Sequence, residues 1–183
     1  MSVLGGWKVD VQIGKMPEQV ATAFGNIMGN LVGAQYTPIA YLGSQEVNGT
    51  NHAILAEQLI VTGIDTKNIV CVILNEKQGS VAGSDFALVN INKVVDGGVK
   101  FGGVKIDVMT ELTDEVKAVF HDAFEGYVGS HIEPFALLGT KVVKGIQYKF
   151  VAKVTPVVKD PEATVELITI NGLTGEIDFE DVI

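Results

Sequence analysis

The most chemically reactive side chains in this sequence are one cysteine and three histidines. Cys71 lies in the apolar run 69–74, where we predict a buried strand thiol; the alternative is a nucleophilic cysteine, which needs an accessible thiolate. His52, His121 and His131 are far apart and lack a metal-binding spacing such as His-x-x-x-His. The sequence therefore predicts no metal site.

Carboxylates form the second reactive group, and they cluster at the end of the chain as Glu176, Asp178, Glu180 and Asp181. Alternation along a strand would place the first three on one face. Calcium binding and acid–base chemistry are open alternatives, but we favour an edge strand that carries charge. Because no nucleophile–base pair can be named, we predict a protein that is not an enzyme, with no catalytic residues and no cofactor.

Composition restricts the partners. The formal net charge is −9 at pH 7, and all 13 basic residues are lysines, so the bidentate fork of arginine is absent. This predicts a protein that binds neither nucleic acid nor membranes. The first residues show no leader pattern, and a single cysteine favours a reducing compartment. We predict a cytoplasmic protein; secretion stays open because a removed leader would leave the same sequence.

The chain contains an internal repeat. Residues 5–11 recur at 102–108, and residues 38–43 recur at 134–139 with nearly constant spacing. We therefore predict two tandem domains, 1–96 and 97–183, joined by the glycine-rich segment 96–101.

Each copy shows the same order of predicted elements. A short alternating segment is followed by an apolar stripe at helical spacing, with Pro17 at the start of the first helix and Thr113 as N-cap of the second. Four extended segments follow each helix. The predicted strands lie near 36–46, 51–62, 68–75, 85–93, 133–143, 146–158, 163–171 and 176–180. The predicted fold class is α+β, each unit being an antiparallel sheet of four to five strands wrapped around one α-helix.

The first predicted hairpin carries a motif. The segment Gln45-Glu46-Val47-Asn48-Gly49 fits Gln-x-Val-x-Gly and continues as Thr-Asn with a ring side chain, His52. In these residues, and in the helix and strands around them, the chain resembles the cystatin superfamily, especially its disulfide-free stefin type. The resemblance is weaker in the second copy.

The resemblance implies a fold with a sheet around one helix, and reversible inhibition of papain-like cysteine proteases. Members of the family insert a wedge of three elements into the active-site cleft of the protease. Carried onto this sequence, the wedge comprises an N-terminal segment, a first hairpin and a second hairpin near 76–79. The implied partner-binding residues are Leu4, Gly5, Gly6, Gln45, Glu46, Val47, Asn48 and Gly49.

The sequence departs from the family in two places. The Pro-Trp pair usual in the second hairpin is absent from 76–84, and Lys141 replaces the motif glutamine in the second copy. Two other functions therefore stay open. One is a structural or adaptor module that binds proteins without inhibiting proteases. The other is a small-molecule binder between sheet and helix or between the domains.

Overall fold

The structure is a computed structural model, and it describes residues 5–61, 63, 65–79, 85–98 and 102–183. The chain divides into two compact units, Met1–Asp96 (unit 1) and Gly97–Ile183 (unit 2). In unit 1 the elements are β1 Trp7–Ile13, α1 Glu18–Gly29, β2 Ala34–Val47, β3 Gly49–Ile60, β4 Thr66–Glu76 and β5 Phe86–Asp96. In unit 2 they are β6 Lys105–Met109, α2 Asp114–Ala123, β7 Ser130–Val143, β8 Gly145–Pro156, β9 Thr164–Asn171 and β10 Ile177–Asp181.

The strands of each unit form one antiparallel sheet in which chain neighbours are also sheet neighbours. The order is β1-β2-β3-β4-β5 in unit 1 and β10-β9-β8-β7-β6 in unit 2. Asn48 alone separates β2 from β3, and Lys144 alone separates β7 from β8. Such short connections hold long strands in a fixed register, Val47 facing Gly49 and Val143 facing Gly145.

Helix α1 packs on one face of the unit 1 sheet. Val20, Phe24 and Met28 recur at helical spacing and are buried. They contact inward-facing residues of the three central strands, which are Tyr41, Ile54, Ala56, Val70, Val72 and Leu74. In unit 2, Thr113 caps α2 by accepting a hydrogen bond from the backbone N–H of Val116 at 3.4 Å, but α2 buries only Phe120.

The opposite face of each sheet is also apolar and buried. In β4 every residue from Ile69 to Leu74 is buried. Cys71 lies between Val70 and Val72, which face α1, so it points to the opposite face of the sheet, where it is also inaccessible. Unit 2 repeats the pattern in β8, where Phe150, Val151 and Ala152 are all fully buried. Continuous apolar runs of this kind are typical of sheets covered on both faces.

The predicted α+β class is wrong. More than half of the residues lie in strands, and the described residues contain only two short helices, so the fold is β-rich with two antiparallel five-stranded sheets. The prediction expected the sheet of each unit to wrap around one helix. The long strands bury apolar residues on both faces instead, and a helix covers one face at most.

No helix within the described ranges is both long enough and apolar enough to cross a membrane.

The first testable prediction concerns the Cys71 thiol. Burial raises the pKa of Cys71 to about 12, so the thiolate that reacts with disulfide reagents does not form near neutral pH. We expect no reaction with a thiol reagent in the native protein at pH 8, and one equivalent after unfolding in guanidinium. Rapid labelling of the native protein would contradict this burial.

Candidate functional site

Three chain segments meet at one end of the unit 1 sheet. They are the residues before β1, the β2–β3 connection and the start of the β4–β5 connection. Antiparallel order brings them together, because β1 begins and β2 ends at the same sheet end where β3 begins and β4 ends. We call this end, formed by residues 5–6, 45–50 and 76–79, the tip of unit 1.

Gly49 fixes the spacing of the two connections. Its φ of +98° favours glycine over residues with a side chain. A Cβ atom at this position would also collide with the backbone carbonyl oxygen of Glu76. The β2–β3 connection therefore lies directly against the end of β4, an approach that only a residue without a side chain permits.

A row of hydrogen-bonded side-chain amides links the N-terminal segment to β2, β3 and β4 beside the two connections. The Gln45 amide nitrogen donates to the carbonyl oxygen of Gly5 at 2.7 Å. The Asn51 amide nitrogen donates to the Gln45 side-chain oxygen at 3.0 Å, and that of Asn75 donates to the Asn51 side-chain oxygen at 2.9 Å. The row runs from Gly5, just before β1, to Asn75 in β4, because Gln45 faces Asn51 and Asn51 faces Asn75 in the register.

The residues predicted to bind a partner occupy different places at this tip. Glu46, Val47 and Asn48 are exposed, and Val47 leaves 48% of its surface accessible. Gly5 and Gly6 are exposed just before β1, and Gln45 is half-buried within the amide row. Leu4 lies outside the described residues.

A cleft of about 400 Å³ is lined by residues of both connections. Its charged groups are the carboxylates of Glu46 and Glu76 and the ammonium group of Lys77. The full lining consists of Glu46, Val47, Gly49, Thr50, Glu76, Lys77, Gln78 and Gly79. The surface that unit 1 offers at this end is thus polar, with an excess of negative charge.

Beneath the tip, His52 joins three strands. Its Nδ1 lies 2.9 Å from the Tyr41 hydroxyl, and its Nε2 lies 3.3 Å from a Glu76 carboxylate oxygen. The Phe86 ring packs beside it, with the ring centroids 5.8 Å apart. Burial lowers the pKa of His52, and the hydrogen bond to Glu76 opposes this effect.

Sequence reasoning missed this network. Only 6% of His52 is accessible, although the residue lies just beyond the β2–β3 connection. Burial also raises the pKa of the Tyr41 hydroxyl, which makes it a poor nucleophile. The apolar residues that follow His52 directly, Ala53 and Ile54, were the available signal that this stretch of β3 is buried.

Unit 2 has a corresponding tip, formed by residues 141–146 and 171–175, with different chemistry. Gly145 shares the φ of +98°, and a Cβ atom there would lie 2.7 Å from the Leu173 Cβ. Lys141 faces Gln147, and Gln147 faces Asn171. The side-chain oxygen of Asn171 accepts hydrogen bonds from the backbone N–H groups of Leu173 and Thr174, at 3.0 and 3.2 Å.

The remaining candidates do not assemble into a site. His121 and His131 are exposed in unit 2, each beside one carboxylate, at 3.9 Å from Asp122 and 3.4 Å from Glu133. Across the described part of the chain, no three His, Cys, Asp or Glu side chains are placed to hold a metal ion together. The C-terminal carboxylates lie on or beside the edge strand β10.

No protein-family model matches the chain, and no curated protein matches it significantly in sequence.

The second testable prediction concerns pH. A lowered His52 pKa means that the unfolded chain binds the proton more readily, so this contribution to stability is present above the unfolded pKa of about 6.5 and is lost as pH falls below it. In His52→Gln, the free energy of unfolding should fall less between pH 7.5 and 5.5 than in the wild type. The difference is at most about 1.4 kcal/mol per pH unit, measured by urea unfolding.

The matched control is His121→Gln, which alters an exposed histidine of unit 2. Its pH dependence should follow that of the wild type. If His52→Gln also follows the wild type, the buried histidine does not contribute to acid sensitivity.

Proposed function

We propose that the chain is a non-enzymatic binding protein that reversibly inhibits papain-like cysteine proteases by placing the tip of unit 1 in their active-site cleft. The observation that supports this most strongly is the hydrogen bond from Gln45 to Gly5, which joins the N-terminal segment to the β2–β3 connection. Together with the close approach at Gly49, this hydrogen bond joins three separate chain segments into one continuous edge.

A preformed edge suits reversible inhibition. Because the amide row and the strand register hold the three segments before binding, little conformational entropy remains to be lost on association. Val47 and Asn48 project from the hairpin and would make the first contacts. The backbone on either side of Asn48 is paired in the β2–β3 ladder, so it is not presented as an extended substrate for cleavage.

The motif residues Gln45, Val47 and Gly49 support the same proposal through their resemblance to the cystatin superfamily. Kinship with that superfamily is itself part of the proposal. In this interpretation Gln45 and Gly49 shape the edge, and Val47 contacts the protease. A buried free thiol at Cys71 is consistent with a reducing compartment such as the cytoplasm.

The third testable prediction is inhibition itself. The target is an active papain-like protease with a neutral cleft border, which means that the residues around its active-site cleft carry no net charge. Titration of this protease with the wild-type chain should show reversible inhibition. Gly49→Arg should abolish inhibition, because the new side chain meets the backbone of Glu76 at a strained φ. Gln45→Ala should weaken inhibition by about tenfold, as expected for loss of one or two hydrogen bonds.

Gly145→Arg provides the matched control, since it introduces the same side chain at the same φ in unit 2. It should inhibit as the wild type does. Absence of inhibition at high micromolar wild-type protein would exclude this function.

An adaptor without inhibitory activity is the second candidate, and a separate surface favours it. Val32 is fully exposed in unit 1, and Val128 is exposed at the corresponding place in unit 2. Each lies beside another exposed valine, because Val61 N–H donates to Gly33 and Val157 N–H donates to Gly129. A duplicated apolar surface is typical of protein contacts, and an adaptor of this kind would leave protease activity unchanged.

A further inference from the structure

The tip of unit 2 presents an apolar surface to solvent. Val142 is 78% accessible and Leu173 is 63% accessible, although both are aliphatic. Val143 and Ile146 are exposed beside them. These side chains come from both connections at this end of the sheet. Val142 and Ile146 face each other in the register and share one side of the hairpin, whereas Val143 lies on the other side. We call the four residues the apolar cluster of the unit 2 tip.

Hydrogen bonds hold the two connections together. The backbone N–H of Gly172 donates to the carbonyl oxygen of Ile146 at 2.9 Å. Asn171 accepts from Leu173 and Thr174 and thereby fixes the turn that carries Leu173. The exposed aliphatic groups therefore stand on a rigid support, and their exposure does not arise from a loose loop.

The same positions in unit 1 carry opposite chemistry. The registers of the two sheets match Glu46 with Val142, since these residues face Thr50 and Ile146. By the same spacing, Asn48 corresponds to Lys144, and Lys77 corresponds to Leu173. An acidic, polar tip in unit 1 thus corresponds to an apolar tip in unit 2.

Lysines border the apolar cluster. Lys141 and Lys144 lie on the β7–β8 hairpin itself, and Lys105 lies at the same sheet end, facing Thr140. Glu176, at the end of the β9–β10 connection, is the nearby carboxylate. An apolar centre with a charged border is the usual arrangement of a protein-binding surface, in which the border selects partners by charge.

We propose that the tip of unit 2 is a second docking edge, which fits a protease cleft with an apolar floor and carboxylates at its border. The inference rests on the proposed function, because it takes the partner from the same class of protein. It adds that the two tips select partners of opposite charge. The exposed aliphatic groups enter the cleft, and the lysines pair with the carboxylates at its border.

The fourth testable prediction uses a variant that gives unit 2 the residues of unit 1. Val142→Glu, Lys144→Asn and Leu173→Lys are combined; Val142 and Leu173 are largely exposed and Lys144 is at a hairpin tip, so the core is unaffected. The probe is a thiol-blocked papain-like protease with an excess of carboxylates around its cleft. Calorimetric titration should show that the probe binds the wild-type chain and that its affinity for the triple variant is lower by about tenfold or more.

Gly49→Arg distinguishes binding through the tip of unit 2 from binding through the tip of unit 1. Binding of this probe should persist in Gly49→Arg, and it should weaken as salt is raised because the lysines contribute to it. If the triple variant binds as the wild type does, the second edge is excluded while inhibition through unit 1 stands. If Gly49→Arg retains inhibition of the neutral-bordered protease, the function proposed for unit 1 is excluded and the second edge stands.

Lipid is the competing occupant, since aliphatic groups bordered by lysines also suit an anionic bilayer. Vesicles of phosphatidylcholine with about 30% phosphatidylserine, a content chosen to give a strongly anionic surface, provide the probe. Sedimentation of the wild type but not the triple variant with these vesicles would overturn the proposal of a protein cleft. Absence of sedimentation, together with protease binding, supports it.

Discussion

The close approach of two strand connections at a glycine is the constraint on which each tip depends. Gly49 and Gly145 share a φ of +98°, and in each unit an added Cβ atom would meet the neighbouring connection. A residue with a side chain would need either a strained backbone or separated connections. The glycine thus converts two adjacent turns into one continuous surface, and the chemistry of that surface depends on the residues around it.

Unit 1 extends this surface to a third segment, whereas the corresponding residues of unit 2 make other contacts. In unit 1, Gln45 reaches the Gly5 carbonyl and is itself held by Asn51. In unit 2, Lys141 replaces the glutamine, and Asn171 orders its own turn instead of extending an amide row. The scaffold is shared, but the polar groups that shape each tip have diverged. Duplication of this kind allows two surface chemistries on one framework.

The sequence predicted the local features well where periodicity and turn chemistry determine them. The motif around Gln45 and Gly49 predicted a hairpin, and the structure has a hairpin there. The fold class was wrong because the sheet of each unit was expected to wrap around one helix, whereas the continuous apolar run 69–74 indicates a sheet buried on both faces. That run was visible in the sequence and could have corrected the class.

Other features could not be predicted from local pattern. Gln45 and Gly5 are 40 residues apart, and their hydrogen bond exists only because β1 pairs with β2 in a particular register. The contact of Tyr41 with His52 likewise depends on the irregular pairing between Tyr41 and Gly43. Register and bulges are tertiary properties, so only the structure shows which polar groups they bring together.

A double-mutant cycle tests most directly whether Gln45 acts by holding the N-terminal segment. Binding to a thiol-blocked papain-like protease is measured for the wild type, Gln45→Leu, a chain lacking residues 1–6, and the combination. Because the truncation removes the acceptor at Gly5, Gln45→Leu should cost less in the truncated chain, with a coupling of about 1–2 kcal/mol. Losses that add to within about 0.5 kcal/mol would contradict this account.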